Sequence, residues 1–208
     1  MGDCPTLTEL AAQLSAALKT VSPWEITAVV LALVYLVLAI RQIIACWFAA
    51  ILSTSIYIVL MYRAGLYMES ALQVFYIAMA FYGWYCWKHG EGPENKLPVS
   101  SWPLNRHVAP LVLILLLTLA SGYALSHYSS AALPYLDSFT TWGAIVSTWM
   151  VARKIIQNWH YWFIIDSVSV YLYISRGLWL TALLFILYLI LIVIGYRQWR
   201  KSMDAVRV

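Results

Sequence analysis

The sequence predicts an all-α integral membrane protein with seven transmembrane helices, in which two three-helix units flank one linking helix. Three observations carry this. Of 208 residues, 63% are hydrophobic and 11% are charged, whereas ordinary soluble domains carry about 25% charged residues. Seven apolar runs are long enough to approach the ~30 Å of a hydrocarbon core. Finally, the chain lines up with itself when shifted by 112 residues.

The N-terminal segment, residues 1–23, lacks the basic start and apolar core of a signal peptide. Thr6-Leu7-Thr8-Glu9 has capping-box spacing. Leu7, Leu10, Ala11, Leu14, Leu18 and Val21 then follow helical spacing. An amphipathic helix over 7–21, lying on the membrane surface, is expected; a disordered tail is the alternative.

The apolar runs cover 24–40, 44–62, 67–87, 108–126, 138–152, 155–174 and 178–198. The fifth is the shortest and is interrupted by Thr140, Thr141, Ser147 and Thr148. The stretch 88–107 is the one long polar connection, and its GEGPENKLP run has linker composition. The expected units are therefore a first bundle over 24–87, a cytoplasmic loop over 88–107 and a linker helix over 108–126. A second bundle over 136–199 and a cytoplasmic tail over 200–208 follow. With seven spans, ten of the 13 Lys and Arg residues fall in one set of loops and three in the other. The positive-inside rule then puts the N-terminus outside and the C-terminus in the cytoplasm. The same basic loops account for the net charge of +4 without a nucleic acid partner.

At the 112-residue offset Arg41 falls on Arg153, Trp47 on Trp159, Gly65 on Gly177, Tyr76 on Tyr188, Gly83 on Gly195 and Trp87 on Trp199, with no gap. Leu and Ile coincidences are expected between apolar chains, but three aromatic and two glycine matches are not. The offset spans four helices, an even number, so both copies share one orientation. A parallel 3+1+3 repeat of this kind is a transporter architecture, SWEET-like in form.

The sixth span carries the polar groups. At 100° per residue, Asn158, Trp159, Trp162, Asp166, Ser169 and Tyr173 share one stripe about 100° wide. Asp166 lies about eleven residues into the apolar run, roughly 16 Å deep. A central Asp costs about 2.5–3.5 kcal/mol on insertion scales and faces a bundle interior or cavity. The alternative is a structural acceptor for another helix. For the Trp residues, the alternative is an interfacial belt. The third span has a similar stripe of Gln73, Tyr76, Ala80, Trp84 and Trp87, with Glu69 at its outer end. In the first copy the sixth-span stripe becomes Cys46, Trp47, Ala50, Thr54, Tyr57 and Met61. The rings persist while the carboxylate and amide are lost, which suits an asymmetric ligand. Aromatic faces, amides and one carboxylate together suit a positively charged aromatic heterocycle.

The runs "RKIIQNWHYWFIID", "YLYISRGLWLTALLFILYL" and "GLYMESALQVFYIAMAFYGWYCW" resemble the PnuC-type vitamin transporters over about residues 24–201. The resemblance implies a SWEET-like fold, a homotrimer, and uptake of nicotinamide riboside across the bacterial inner membrane. It also implies facilitated diffusion, with substrate trapped by phosphorylation in the cytoplasm. Similar family members carry thiamine or riboflavin. Rings and carboxamides hold the substrate in that family, which points here to Gln73, Tyr76, Asn158, Trp159 and Trp162. Trp47 and Trp84 extend the aromatic set. Where nicotinamide riboside members show an amide in the last span, this chain offers Tyr188, which leaves nicotinamide riboside and thiamine both open.

Other classes fit less well. The four His residues form no Ser-His, HExxH or bis-His haem arrangement. Cys4, Cys46 and Cys86 lack metal-type spacing. No GxxxxGK[ST] run supports an ATP-driven pump. No catalytic function, metal or cofactor is expected. A membrane scaffold would explain the hydrophobicity but neither the duplication nor Asp166.

Overall fold

The structure, a computed structural model, describes residues 22–63, 67–90, 97–128, 133–175 and 179–206. Within them run α1 (Pro23–Ile40), α2 (Cys46–Arg63), α3 (Tyr67–Lys88), α4 (Val108–Tyr128), α5 (Pro134–Ala152), α6 (Asn158–Ser175) and α7 (Trp179–Val206). The surface helix expected over 7–21 lies outside the described residues, and so does the Glu69 side chain. Among the described residues, the stretches Pro23–Ile40, Leu104–Tyr128 and Thr181–Ala205 are long and apolar enough to cross a membrane.

Local chemistry sets the helix ends. Ser22 accepts from the Trp24 amide ahead of Pro23, so α1 starts with a side-chain cap and a proline in its first turn. Pro134 also opens α5, there without a side-chain cap. The hydroxyls that interrupt the fifth apolar run bond back along α5: Thr140 and Thr141 to the Asp137 carbonyl, Ser147 to Gly143 and Thr148 to Ala144. Each polar group is thus satisfied inside its own helix, as a low-dielectric setting requires. At the other extreme, α7 runs well past the expected end at 198, and Arg200 donates to the Tyr196 hydroxyl one turn back.

α1 packs on α2 and α2 on α3; α5 packs on α6 and α6 on α7; α4 lies along α5. The two sets meet where α3 touches α5 and α1 touches α7. Bounds and contacts repeat at 112 residues. α1 and α5 end at Ile40 and Ala152, α2 and α6 cover Cys46–Arg63 and Asn158–Ser175, and α3 and α7 begin at Tyr67 and Trp179. Gln42 and Lys154 both hold left-handed backbone, at φ 57° and 49°. The bond from the Ile43 amide to the Leu38 carbonyl is matched by that from Ile155 to Met150, each 2.9 Å.

The buried core is concentrated where these turns lie. Trp47 packs edge-on against Trp87 at 5.4 Å, and Trp159 against Trp199 at 5.3 Å. A Cβ on Gly83 would strike the Trp47 ring, and one on Gly195 the Trp159 ring. The glycines are there because only a bare Cα lets an indole approach so closely. The units are then tied crosswise. The Trp87 indole donates to the Val151 carbonyl at 3.3 Å, and the Trp199 indole to the Ala39 carbonyl at 3.0 Å. One departure from the duplication lies at the second turn. Residues 97–103 pass over it, with the Ser100 amide on the Lys154 carbonyl and the Ile156 amide on the Ser100 carbonyl. Gln157 fixes the segment further through Ser101 and Trp102.

Candidate functional site

A cavity of about 250 Å³ lies between α1, α5, α6 and α7. From α6 it takes Trp159, Trp162 and Asp166, which the helical period places on one stripe. α7 contributes Phe185, Tyr188 and Ile192. The α1 wall is Ala32, Tyr35 and Ala39, with Leu36 beside them, and Val151 of α5 closes it. Small residues three before and four after Tyr35 leave its ring room to face inward.

The wall is almost wholly apolar and aromatic, and Asp166 is its one acidic member. Asp166 is 4% exposed, and its carboxylate has no hydrogen bond or ion pair among the described residues. A buried carboxylate without donors is costly, so the site is electrostatically poised for a cation or a proton. Trp159 is held at the core end of the cavity by Trp199 and the Gly195 notch. Phe185 stands 5.4 Å from Tyr188 and 5.0 Å from Tyr173, which backs the α7 wall with rings. At this volume the cavity falls just below the usual range of small-molecule sites, about 300–1,000 Å³. It admits a compact substrate, and a larger one would have to push the helices apart.

The structure thus brings together four of the expected residues: Trp159, Trp162, Asp166 and Tyr188. Trp47 and Asn158 are buried in the core nearby and are not part of the wall. Asn158 turns back to donate to the Ile155 carbonyl at 2.6 Å, and its side-chain oxygen has no partner among the described residues. Gln73 and Tyr76 are half-buried on α3, which packs against α2 and α5, and neither lines the cavity, although Tyr76 is near enough to Tyr35 of the α1 wall to act on it electrostatically. Trp84 faces Phe48 and Lys88. Sequence reasoning missed Tyr35 and Phe185. The Ala32–Tyr35–Ala39 face was the signal available for the first; Phe185 had none in an apolar helix.

A bundle with long apolar helices around a compact aromatic cavity that holds one buried carboxylate is the arrangement of a multi-pass membrane protein with room for a small molecule. Residues 22–201 match the family described as nicotinamide mononucleotide transporter, and the chain belongs to that family. It is 23% identical over 190 residues to the nicotinamide riboside transporter PnuC of Escherichia coli (strain K12), covering 79% of this chain and 80% of that one. It is 26% identical over 173 residues to the riboflavin/roseoflavin transporter RibM of Streptomyces davaonensis, covering 82% and 81%. The crystal structure of the vitamin B3 transporter PnuC superposes with a TM-score of 0.71 at 21% identity, over 94% of this chain and 88% of that one. The protein is a vitamin transporter of the PnuC family.

Proposed function

We propose that the protein carries nicotinamide riboside across a bacterial inner membrane by facilitated diffusion, with alternating access between two parallel three-helix units in a SWEET-like 3+1+3 arrangement. The observation that carries the substrate class is Asp166, unpaired and buried in a cavity walled by Trp159, Trp162 and Tyr188. Indole faces and a carboxylate both favour a cationic ring. The printed activity of the Escherichia coli relative supports the vitamin. Thiamine, also a cationic aromatic, is the second reading; the cavity's limited volume speaks against the larger riboflavin. The repeated turns, glycine notches and indole bonds support the duplicated architecture. Charge bias in the loops supports a periplasmic N-terminus and a cytoplasmic C-terminus. A homotrimer is the assembly expected of the family.

The test is reconstitution in liposomes with labelled nicotinamide riboside, thiamine and riboflavin. Nicotinamide riboside should equilibrate across the membrane without a gradient. Accumulation above the outside concentration, dependent on protons or sodium, would replace facilitated diffusion by coupled transport. Entry of thiamine alone would replace the vitamin.

A further inference from the structure

We propose that the groove between the α1–α2 turn and the end of α7 binds a phosphate-bearing anion, such as the headgroup of an acidic phospholipid or free phosphate. The groove is about 480 Å³ and is lined by Arg41, Gln42, Gln198, Lys201 and Ser202. Every one of these side chains can donate a hydrogen bond, two are cationic, and none is a carboxylate. No described residue bonds to the Arg41 guanidinium or the Lys201 ammonium. The Gln42 side-chain oxygen already accepts from Lys154 at 3.2 Å, so the amide group left to the groove is its NH₂ donor.

The internal duplication supplies the comparison. The corresponding turn of the second copy, Arg153 to Gln157, has its needs met by the chain itself. Arg153 pairs with Tyr82 and Cys86, contacts that push its pKa up. The Lys154 carbonyl and Ile156 amide are both taken by Ser100. In the first copy the equivalent groups, the Gln42 carbonyl and the Ile44 amide, have no backbone partner among the described residues. Ile43 is 42% exposed where Ile155 is 2% exposed. The same turn thus leaves one backbone donor, the Ile44 amide, uncovered beside two cations at the end of an apolar bundle, where headgroups lie. Guanidinium, ammonium, amide and hydroxyl donors gathered in one groove whose lining holds no carboxylate suit phosphate oxygens. Attraction of basic side chains to anionic lipid is the same physics at a membrane surface. Because Gln42 also accepts from Lys154, the anion would bear on the contact that joins the two units.

The experiment follows thermal unfolding of the full chain in neutral detergent during titration with phosphatidylglycerol, phosphatidylcholine or inorganic phosphate. Wild type should be stabilised by phosphatidylglycerol and not by phosphatidylcholine. In Arg41→Gln/Lys201→Gln the half-maximal lipid concentration should rise roughly tenfold or more. The charge-matched control Arg106→Gln/Arg197→Gln should titrate like wild type. Ser202→Asp, which puts a carboxylate in the groove, serves if the double variant folds poorly and should likewise lose the effect. Stabilisation by inorganic phosphate alone, lost in the same variants, would identify a soluble phosphate as the source. Equal titrations in wild type, groove variants and control would overturn the proposal. Protection by an acidic peptide but by neither phosphate source would overturn it as well.

Discussion

Lys154 donates its ammonium to the Gln42 side-chain carbonyl at 3.2 Å, and the two residues hold the same position in the two copies of the repeat. Lys154 also lies over the Trp87 ring at 4.5 Å. The pair therefore closes one end of the bundle across the line where the units meet. Alternating access in the proposed mechanism requires that end to part, so this contact must break and re-form once per transport cycle.

Both residues hold a backbone conformation that costs an L-residue about 1–2 kcal/mol. Glycine escapes that cost, and alanine does not. Gln42→Gly should therefore unfold later than Gln42→Ala, by about 1 kcal/mol, although both lose the contact to Lys154. Denaturant melts of the two variants in one detergent check this. Equal stability would mean that the turn relaxes out of the left-handed region.

The glycine notches separate stability from binding. Gly83→Ala drives a methyl into Trp47, away from the cavity, whereas Gly195→Ala drives one into Trp159, which lines it. Overpacking of this kind costs typically 1–3 kcal/mol. Both variants should melt lower than wild type. Affinity for nicotinamide riboside, measured by calorimetry, should fall only in Gly195→Ala.

Trp159 and Trp162 should behave as stacking surfaces. Each Trp→Ala is expected to weaken binding by about 1–3 kcal/mol, the range for base–aromatic stacking. Trp84→Ala, whose ring faces Phe48 and Lys88, should leave affinity unchanged. A loss at Trp84 with none at Trp162 would move the site to the first unit.

Asp166→Asn keeps shape and hydrogen-bonding capacity while removing charge. Binding of a cationic vitamin should weaken, and binding of a neutral isostere should change little. The coupling between variant and ligand charge isolates the electrostatic part. A coupling near zero in folded protein would assign Asp166 to the fold or to a proton.

Much of the helical frame was legible because hydropathy marks a membrane segment strongly and the offset repeats residues that have few substitutes. The Gly83–Trp47 and Gly195–Trp159 pairs are such cases, since each ring needs its bare Cα. The α6 wall of the cavity was legible for the same reason as any helix face. Which face meets which helix was not. Gln73 and Tyr76 form a plausible stripe, but a helical wheel carries no information on the neighbour, and α3 turns to α2 and α5. Phe185 went unseen because one ring in an apolar helix gives no contrast. The hydroxyls of α5 looked like interruptions because a sequence does not show that each bonds one turn back.

The crossed indole bonds, Trp87 to Val151 and Trp199 to Ala39, are related by the same 112-residue offset. Two separate three-helix chains related by a two-fold axis would make both bonds from a single tryptophan and a single carbonyl. Fusion through α4 would then have left the joint unchanged and released each half from having to match the other. Asp166 against Thr54, and Trp162 against Ala50, are what that release permits: divergence in the wall of the cavity while the tryptophan joint stays as it was.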